Sequence, residues 1–510
     1  MAQANLDALI PRADFFESKA AATADTPAIR ITDLEPGITY DMLRKPDFQR
    51  ETVDWKPDQV VRLIQTFCES DIIPAVILWQ SGNQIFVVDG AHRLSALIAW
   101  IRNDYGAGEL SRKYFGNAIP GPQQQAHDQT AALVAASIGP WENFKKKVPV
   151  ISLKDVRVQW IKDYTAEQAA EAFIRINQGG TIIKPLEERI LRAKRSALAV
   201  ATRVISRGGT GHSYWGHFTN EKAREDAPKL GAEIYRLLFE PRLASPIKSL
   251  DIPLAGAGYG PDALRLSFDL VALANGLSVP DSSRSKGASD ELPIDDEGKL
   301  TNRYLNETRK LVRLLLSNHA SSFGLHPALY FYSSRGVFQS SALLNVAAWI
   351  ADLRRRDKLD SFRLARGKFE DLLVAHPELV RPETHKLGSG TRTRSKMVEV
   401  LNEALKQTGK DVDAAWTALK EKYPDRLADD NPATTGTLPG ARFHRQTKSA
   451  VLLADLPHTA RCPICNGFLH INGKVVDHKV NRSQGGTANI SDGRWVHPIC
   501  NSARDKDGKA

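Results

Sequence analysis

The sequence predicts an α+β protein in several domains: an α/β N-terminal unit, a helical middle and a small metal-clipped module at the C-terminus. Three observations carry this. At roughly 150 residues per domain, a chain of 510 residues has room for about three domains. Apolar runs near the N-terminus alternate between strand and helix periods, whereas from Pro185 to about Tyr423 the helical period prevails. And three of the four cysteines, Cys462, Cys465 and Cys500, crowd the C-terminal end, as metal ligands do and a disulfide scaffold does not.

Each element follows from its pattern. Pro57–Glu69 places Val60, Val61, Ile64 and Phe67 on one helical face, with Pro57 suited to the first turn. Ile72–Trp79 and Gln84–Val88 are rich in branched and aromatic residues and bounded by Asp, Gly and Asn, so both read as strands. Leu94–Ile101 reads as helix, Gly106–Gln129 as an exposed polar insertion, residues 148–153 as a further strand and Ala166–Arg175 as a helix. Pro280–Gly298 is too polar to bury much surface and reads as a loop. Asp429–Gly440 is the clearest linker. The expected boundaries are therefore 1–195 for the α/β unit, 196–427 for the helical domain, 428–440 for the linker and 441–510 for the C-terminal module.

Composition narrows the function class. With 42% apolar and 25% charged residues the chain can bury more than one core. A net charge of +10 permits a polyanionic partner without requiring one. No apolar run approaches the roughly 18 residues of a membrane span, and the N-terminus lacks a basic start followed by an apolar stretch. The expectation is a cytoplasmic protein with no membrane partner. Self-association stays open.

The C-terminal module carries the strongest signal. Cys462-Pro-Ile-Cys465 and His497-Pro-Ile-Cys500 supply three thiolates and an imidazole, the tetrahedral set that a structural zinc prefers. A metal clip offsets the small core of so short a module. Thiols left over in a loop would be the bland alternative. Between the knuckles lie Asp477-His478, Gly485-Gly486 and Asn489, and Asn501 follows the last cysteine. A carboxylate and an amide oxygen suit a hard cation such as magnesium, and an imidazole beside them can take a proton from water. With a basic surface, this describes phosphodiester hydrolysis. From Leu438 to Ala510 there are eleven Lys and Arg against five Asp, net +6, which suits phosphate contacts but also suits a solvated basic tail.

Cys462 to Arg504 resembles the HNH (ββα-metal) endonucleases, with His497 where a cysteine is usual and Asn481 where many members have proline. The resemblance implies His478 as the general base and Asp477 and Asn501 as holders of a catalytic Mg2+ or other divalent cation. Asn489 would pin the loop and orient the His478 ring.

Two clusters stand out near the N-terminus: Phe48-Gln49-Arg50 with Trp55, and Asp89-Gly90-Ala91-His92-Arg93 where a strand turns into a helix. Backbone N–H groups at that helix start could meet a phosphate, with Arg93 and Arg50 neutralising it, although an Asp-Gly turn before a helix is also plain turn chemistry. Together with Phe173-Ile-Arg175-Ile-Asn177-Gln-Gly179-Gly180-Thr181, these residues resemble the ParB-like N-terminal domain of the GmrSD and SspE type of restriction proteins, over residues 28–195. That resemblance implies nucleoside triphosphate binding (GTP, ATP or CTP) and hydrolysis, with Gln49, Arg50, Asp89, Gly90, His92, Arg93 and Asn177 at the pocket. Ala91 replaces a glutamine of the family signature and can neither orient water nor bond a phosphate. The combined expectation is a DNA endonuclease of bacterial defence, gated by a nucleotide domain. The alternatives are a zinc-module DNA-binding regulator that does not cut, and a homing-type HNH nuclease.

Overall fold

The computed structural model describes residues 4–13, 15, 18, 25–47, 49, 55–69, 72–117, 119, 121–178, 186, 189–190, 193–258, 261–277, 292–380, 391–424, 427 and 443–507. These residues form two compact units, one running to Lys194 with Thr210–Gly216 added, the other holding most of the chain from Arg195 on.

The first unit is built on a six-stranded mixed sheet in the order β1-β3-β5-β4-β6-β2. Its strands are β1 (Arg12–Ala13), β2 (Ala28–Arg30), β3 (Leu43–Pro46), β4 (Val76–Ser81), β5 (Gln84–Asp89) and β6 (Asp155–Ile161). β4 and β5 form an antiparallel hairpin, while β3 runs parallel to β5 and β6 parallel to β4. Helix α1 (Pro57–Glu69) buries Val60, Val61, Ile64 and Phe67, the face its periodicity specifies. Helix α2 (Ala91–Arg102) is buried from Leu94 to Trp100, and Trp100 meets Trp141 edge-on at 4.9 Å.

Two expectations are corrected here. Residues 148–153 are not a strand: Pro149–Leu153 is a 3-10 turn with Val150 and Leu153 exposed, and the strand follows at Asp155. Pro149 has no N–H to give a ladder and sets a φ suited to a helical first turn. Nor is Gly106–Gln129 an exposed insertion. It holds the helix Glu109–Tyr114 and the start of the helix Gly121–Ser137, with Ser111, Phe115, Gln123 and Ala126 buried. Its start is tied inward by a residue just before it: the buried Asp104 carboxylate accepts from the Gly106, Gly108 and Ser111 backbone and from the Ser111 hydroxyl.

The second unit is helical over most of its described length, which agrees with the 3.6-residue period. Trp349 stacks on Phe369 at 5.0 Å and meets Phe362 at 4.8 Å in its core. The polar run 292–298 is irregular, and Asp295 within it caps the helix Lys299–Leu315 through the Gly298 and Thr301 N–H groups. The remainder of the expected loop, residues 280–291, and the linker at 428–440 lie outside the described residues. No helix among the described residues is long and apolar enough to cross a membrane.

At the C-terminal end, strands β7 (Val475–His478) and β8 (Gly493–Val496) pair antiparallel, and the helix Pro498–Asp507 follows. This region packs on the helix α3 (Leu359–Ala375). Gly367 donates its N–H to the Cys465 carbonyl at 3.0 Å. A side-chain carbon at Gly467 would sit 2.6 Å from the Arg366 Nε, so the approach depends on glycine there.

Candidate functional site

The four expected zinc ligands meet. The ligand atoms of Cys462, Cys465, His497 and Cys500 all lie within 4.8 Å of one another, and all four residues are buried. The first pair sits in the turn after Arg461; the second sits where β8 ends and the final helix begins. His497 donates from Nε2 to the Phe468 carbonyl at 2.9 Å, leaving Nδ1 turned to Cys465 Sγ at 3.3 Å. An outer-atom bond of this kind fixes which ring nitrogen ligates. Burial lowers the His497 pKa, which keeps the ring neutral as ligation needs. The Cys462 thiol is pulled down by hydrogen bonds from Cys465 and Cys500, while Cys465 is pushed up to about 11 by the bond to Cys462. Three thiolates so close cannot coexist without a cation between them. The donor set therefore fits zinc.

The knuckle is bolted to helix α3 by groups no spacing rule reveals. Glu370 accepts from the Phe468 N–H at 2.6 Å and from Arg366 Nε at 2.7 Å. Arg366 also donates to the Phe323 and Gly324 carbonyls, and Tyr330 donates to Glu370 at 3.0 Å. Arg366 and Glu370 are both fully buried. Arg461 closes the rim, its guanidinium 3.9 Å over the Phe468 ring and 2.7 Å from Asp371.

The hairpin sorts the remaining candidates by strand alternation. Val475 and Val496 are paired and pack with the cysteine cluster, so that face is internal, and Asp477 shares it two residues on. Val476 pairs with Trp495, and His478 pairs with Gly493, on the opposite face. Asp477 is buried and its carboxylate is clamped: Arg494 Nε donates to Oδ2 at 3.0 Å, and an Arg504 nitrogen reaches both oxygens at 3.0 and 3.1 Å. Arg504 also donates to the His478 and Lys479 carbonyls, tying the end of β7 to the last helix. Asn501 lies half-buried in the first turns of that helix.

Asn489 is exposed and makes no side-chain cap bond to the turn it precedes. The loop is held instead by Asp492, whose carboxylate accepts from the Val480 and Thr487 N–H groups. Those backbone bonds, then the nearby His478 and Lys479, hold its carboxyl below the usual carboxylate range. Sequence reasoning missed Asp492, Arg494 and Arg504. The signals were faint: Asp492 immediately precedes Gly493, the strand residue across from His478, and Arg504 lies one helical turn beyond Asn501.

Asp477 and Asn501 offer oxygen donors only, the chemistry of a hard cation. Oδ1 of Asp477 takes a single guanidinium and retains acceptor capacity, so the residues fit such an ion in donor type. Two arginines beside one carboxylate leave a positive balance that favours phosphate arriving with the cation.

In the first unit, Asp89, Gly90, His92 and Arg93 come together where β5 enters α2. Gly90 adopts φ 92°, and a side-chain carbon there would stand 2.5 Å from Val76, so the turn itself demands glycine. Arg93 pairs with Asp89 at 2.7 Å, and the His92 ring lies 5.5 Å from Trp55. Gln49 follows β3, the parallel neighbour of β5, so both clusters sit beyond the carboxyl ends of adjacent strands, a common place for ligands. The Gln49 Oε1 is buried with no hydrogen-bond partner among the described residues. Phe48, Arg50, Gly179, Gly180 and Thr181 lie outside the described residues. Asn177 stands on the helix Ala166–Gln178, its side chain likewise outside them.

The chain matches no curated protein and no solved structure. Residues 33–194 match the model of the GmrSD restriction endonuclease N-terminal domain, a similarity that suggests a restriction-type nuclease role in defence with DNA as substrate.

Proposed function

We propose that the chain is an HNH-type DNA endonuclease that depends on a divalent cation and acts on foreign or modified DNA in bacterial anti-phage defence. Its ParB-like N-terminal domain senses a nucleotide and regulates cutting. The observation that carries this reading is the placement of His478 at the end of β7, on the outer hairpin face. Asp477 sits one residue before it, and a Cys3His cluster clamps the base of the hairpin.

In this reading His478 accepts a proton from water as the water oxygen attacks phosphorus and the phosphorus–oxygen bond to the leaving sugar breaks. Zinc, held by Cys462, Cys465, His497 and Cys500, is structural. Asp477 and Asn501 hold the catalytic cation, magnesium by preference, which supplies charge stabilisation at the phosphate and the leaving oxygen. Arg504 keeps the His478 and Lys479 backbone in place, and Asp492 shapes the loop beside the imidazole. Gln49, Arg50, Asp89, Gly90, His92, Arg93 and Asn177 form the nucleotide pocket, with GTP, ATP and CTP as candidates. Ala91 argues for binding without efficient hydrolysis.

The clamp on Asp477 favours a second reading, a zinc module that docks on DNA without cutting, because guanidinium groups already engage both carboxylate oxygens. Plasmid cleavage separates the two. Phage and host DNA are incubated with magnesium or EDTA, with and without GTP, ATP or CTP. Relaxed or linear product that EDTA abolishes supports the nuclease; retained DNA with tight binding supports the docking module.

A further inference from the structure

The outer face of the C-terminal hairpin is apolar where a solvent face is ordinarily polar. Val476 and Trp495 stand directly opposite each other in register and are 60% and 50% exposed. Lys474 holds its ammonium 4.8 Å over the Trp495 ring. The internal face is already full, with Val475 and Val496 packed on the cysteine cluster. Trp495 therefore gives nothing to the zinc core and keeps half its surface in water.

Three neighbours decide what this face suits. Lys474 lies over it, Lys479 and Arg482 follow His478 in the chain, and the Asp492 carboxylate, next to Gly493 in the chain, is spent on backbone N–H groups. The surround is cationic, as a polyanion requires. His478 shares the face with Val476, two residues along the strand, or about 6.6 Å. That is about two base-pair rises of duplex DNA.

We infer that Trp495, seated on Val476, is a wedge that packs between or against bases one or two steps from the scissile phosphate, while Lys474 meets the sugar–phosphate backbone. The inference rests on the nuclease reading above. Apolar side chains inserted at a base step unstack it and bend the duplex, which would open the phosphate beside His478 to attack. Trp495 thereby contributes to affinity and to presentation of the bond, and it takes no part in proton transfer.

The test uses the full-length zinc-loaded chain and a duplex that the wild-type protein cuts, with 2-aminopurine placed through it. Binding is measured in a His478→Ala background so that the DNA survives. The wedge predicts a rise in 2-aminopurine fluorescence on binding. Adding Trp495→Ala removes that rise and weakens binding roughly 5- to 150-fold, the range for losing one base–aromatic stack. Trp495→Phe retains both within about threefold. Zinc content reports that the variants fold. Unchanged affinity and an unchanged rise with Trp495→Ala, while the wild type still cuts, would overturn the wedge and leave the nuclease standing. Loss of a dimer with no change in DNA affinity would make the face a self-contact and overturn it too. A wild-type chain that neither binds nor cuts DNA would remove both readings.

Discussion

His478 stands directly across from Gly493 in the β7–β8 hairpin, so no side chain stands across the ladder from the imidazole. Gly493 has φ −82° and ψ 146°, extended backbone that any residue adopts, and a side-chain carbon there would make only ordinary contacts at 3.5 Å and beyond. The glycine is therefore an opening and not a backbone requirement. Gly493→Val should fold, keep its zinc and its melting temperature, and lose cleavage by a hundredfold or more. Normal cleavage by that variant would place the substrate elsewhere.

The Cys3His cluster should hold one zinc per chain, read by metal analysis of the purified protein. Cys500→Ser or prolonged chelation should release it and lower the melting temperature, since a module with so small a core takes much of its folding energy from the metal. Because Gly367 and Glu370 bond directly to the knuckle, zinc loss should also loosen helix α3. Hydrogen exchange over Leu359–Ala375 checks this. Unchanged protection there would show the knuckle to be independent of the helix.

Arg504 is 8% exposed and binds the Asp477 carboxylate and two carbonyls. Removing one partner of a buried ion pair costs about 3–5 kcal/mol. Arg504→Ala should lose stability on that scale by denaturant titration, while Arg494→Ala, which removes the more exposed guanidinium and leaves Asp477 paired with Arg504, should lose much less. Equal losses would argue against the clamp.

Acid should destabilise the second unit before carboxylates titrate. The rings of His326 and His470 meet edge-on at 5.2 Å, both nearly fully buried. Burial drops His470 from 6.5 to about 4 and holds His326 well below its ordinary value. Depressed histidines are neutral in the fold while the unfolded chain takes up protons. Stability should thus be full above about pH 6.5 and fall as pH drops toward 4, by about 3 kcal/mol for His470. His470→Asn should flatten that slope in unfolding curves between pH 7 and 4. An equally steep slope would move the acid sensitivity to other groups.

Much of this was legible in the sequence where chemistry follows spacing. The Cys-x-x-Cys and His-x-x-Cys pairs give the metal ligands because tetrahedral ligation restricts both residue type and interval. The Asp89-Gly90 turn shows because its glycine is forced by φ. What stayed hidden depends on contacts far apart in the chain: Arg366 and Glu370 approach the knuckle from about a hundred residues away, and nothing local distinguishes them from surface charges. Asp492 lay hidden behind Asn489, which looked the better loop residue by type, yet Asp492 directly precedes Gly493, the register partner of His478. Pro149 shows the converse failure, an apolar run whose strand reading one missing N–H overrides.

The most direct measurement compares wild type with His478→Ala on the same DNA, following cleavage and binding in parallel with magnesium present. The nuclease account predicts that the variant binds as tightly as wild type and cuts at least a thousandfold more slowly, with its zinc and melting temperature intact. Cleavage at the wild-type rate by His478→Ala would contradict it.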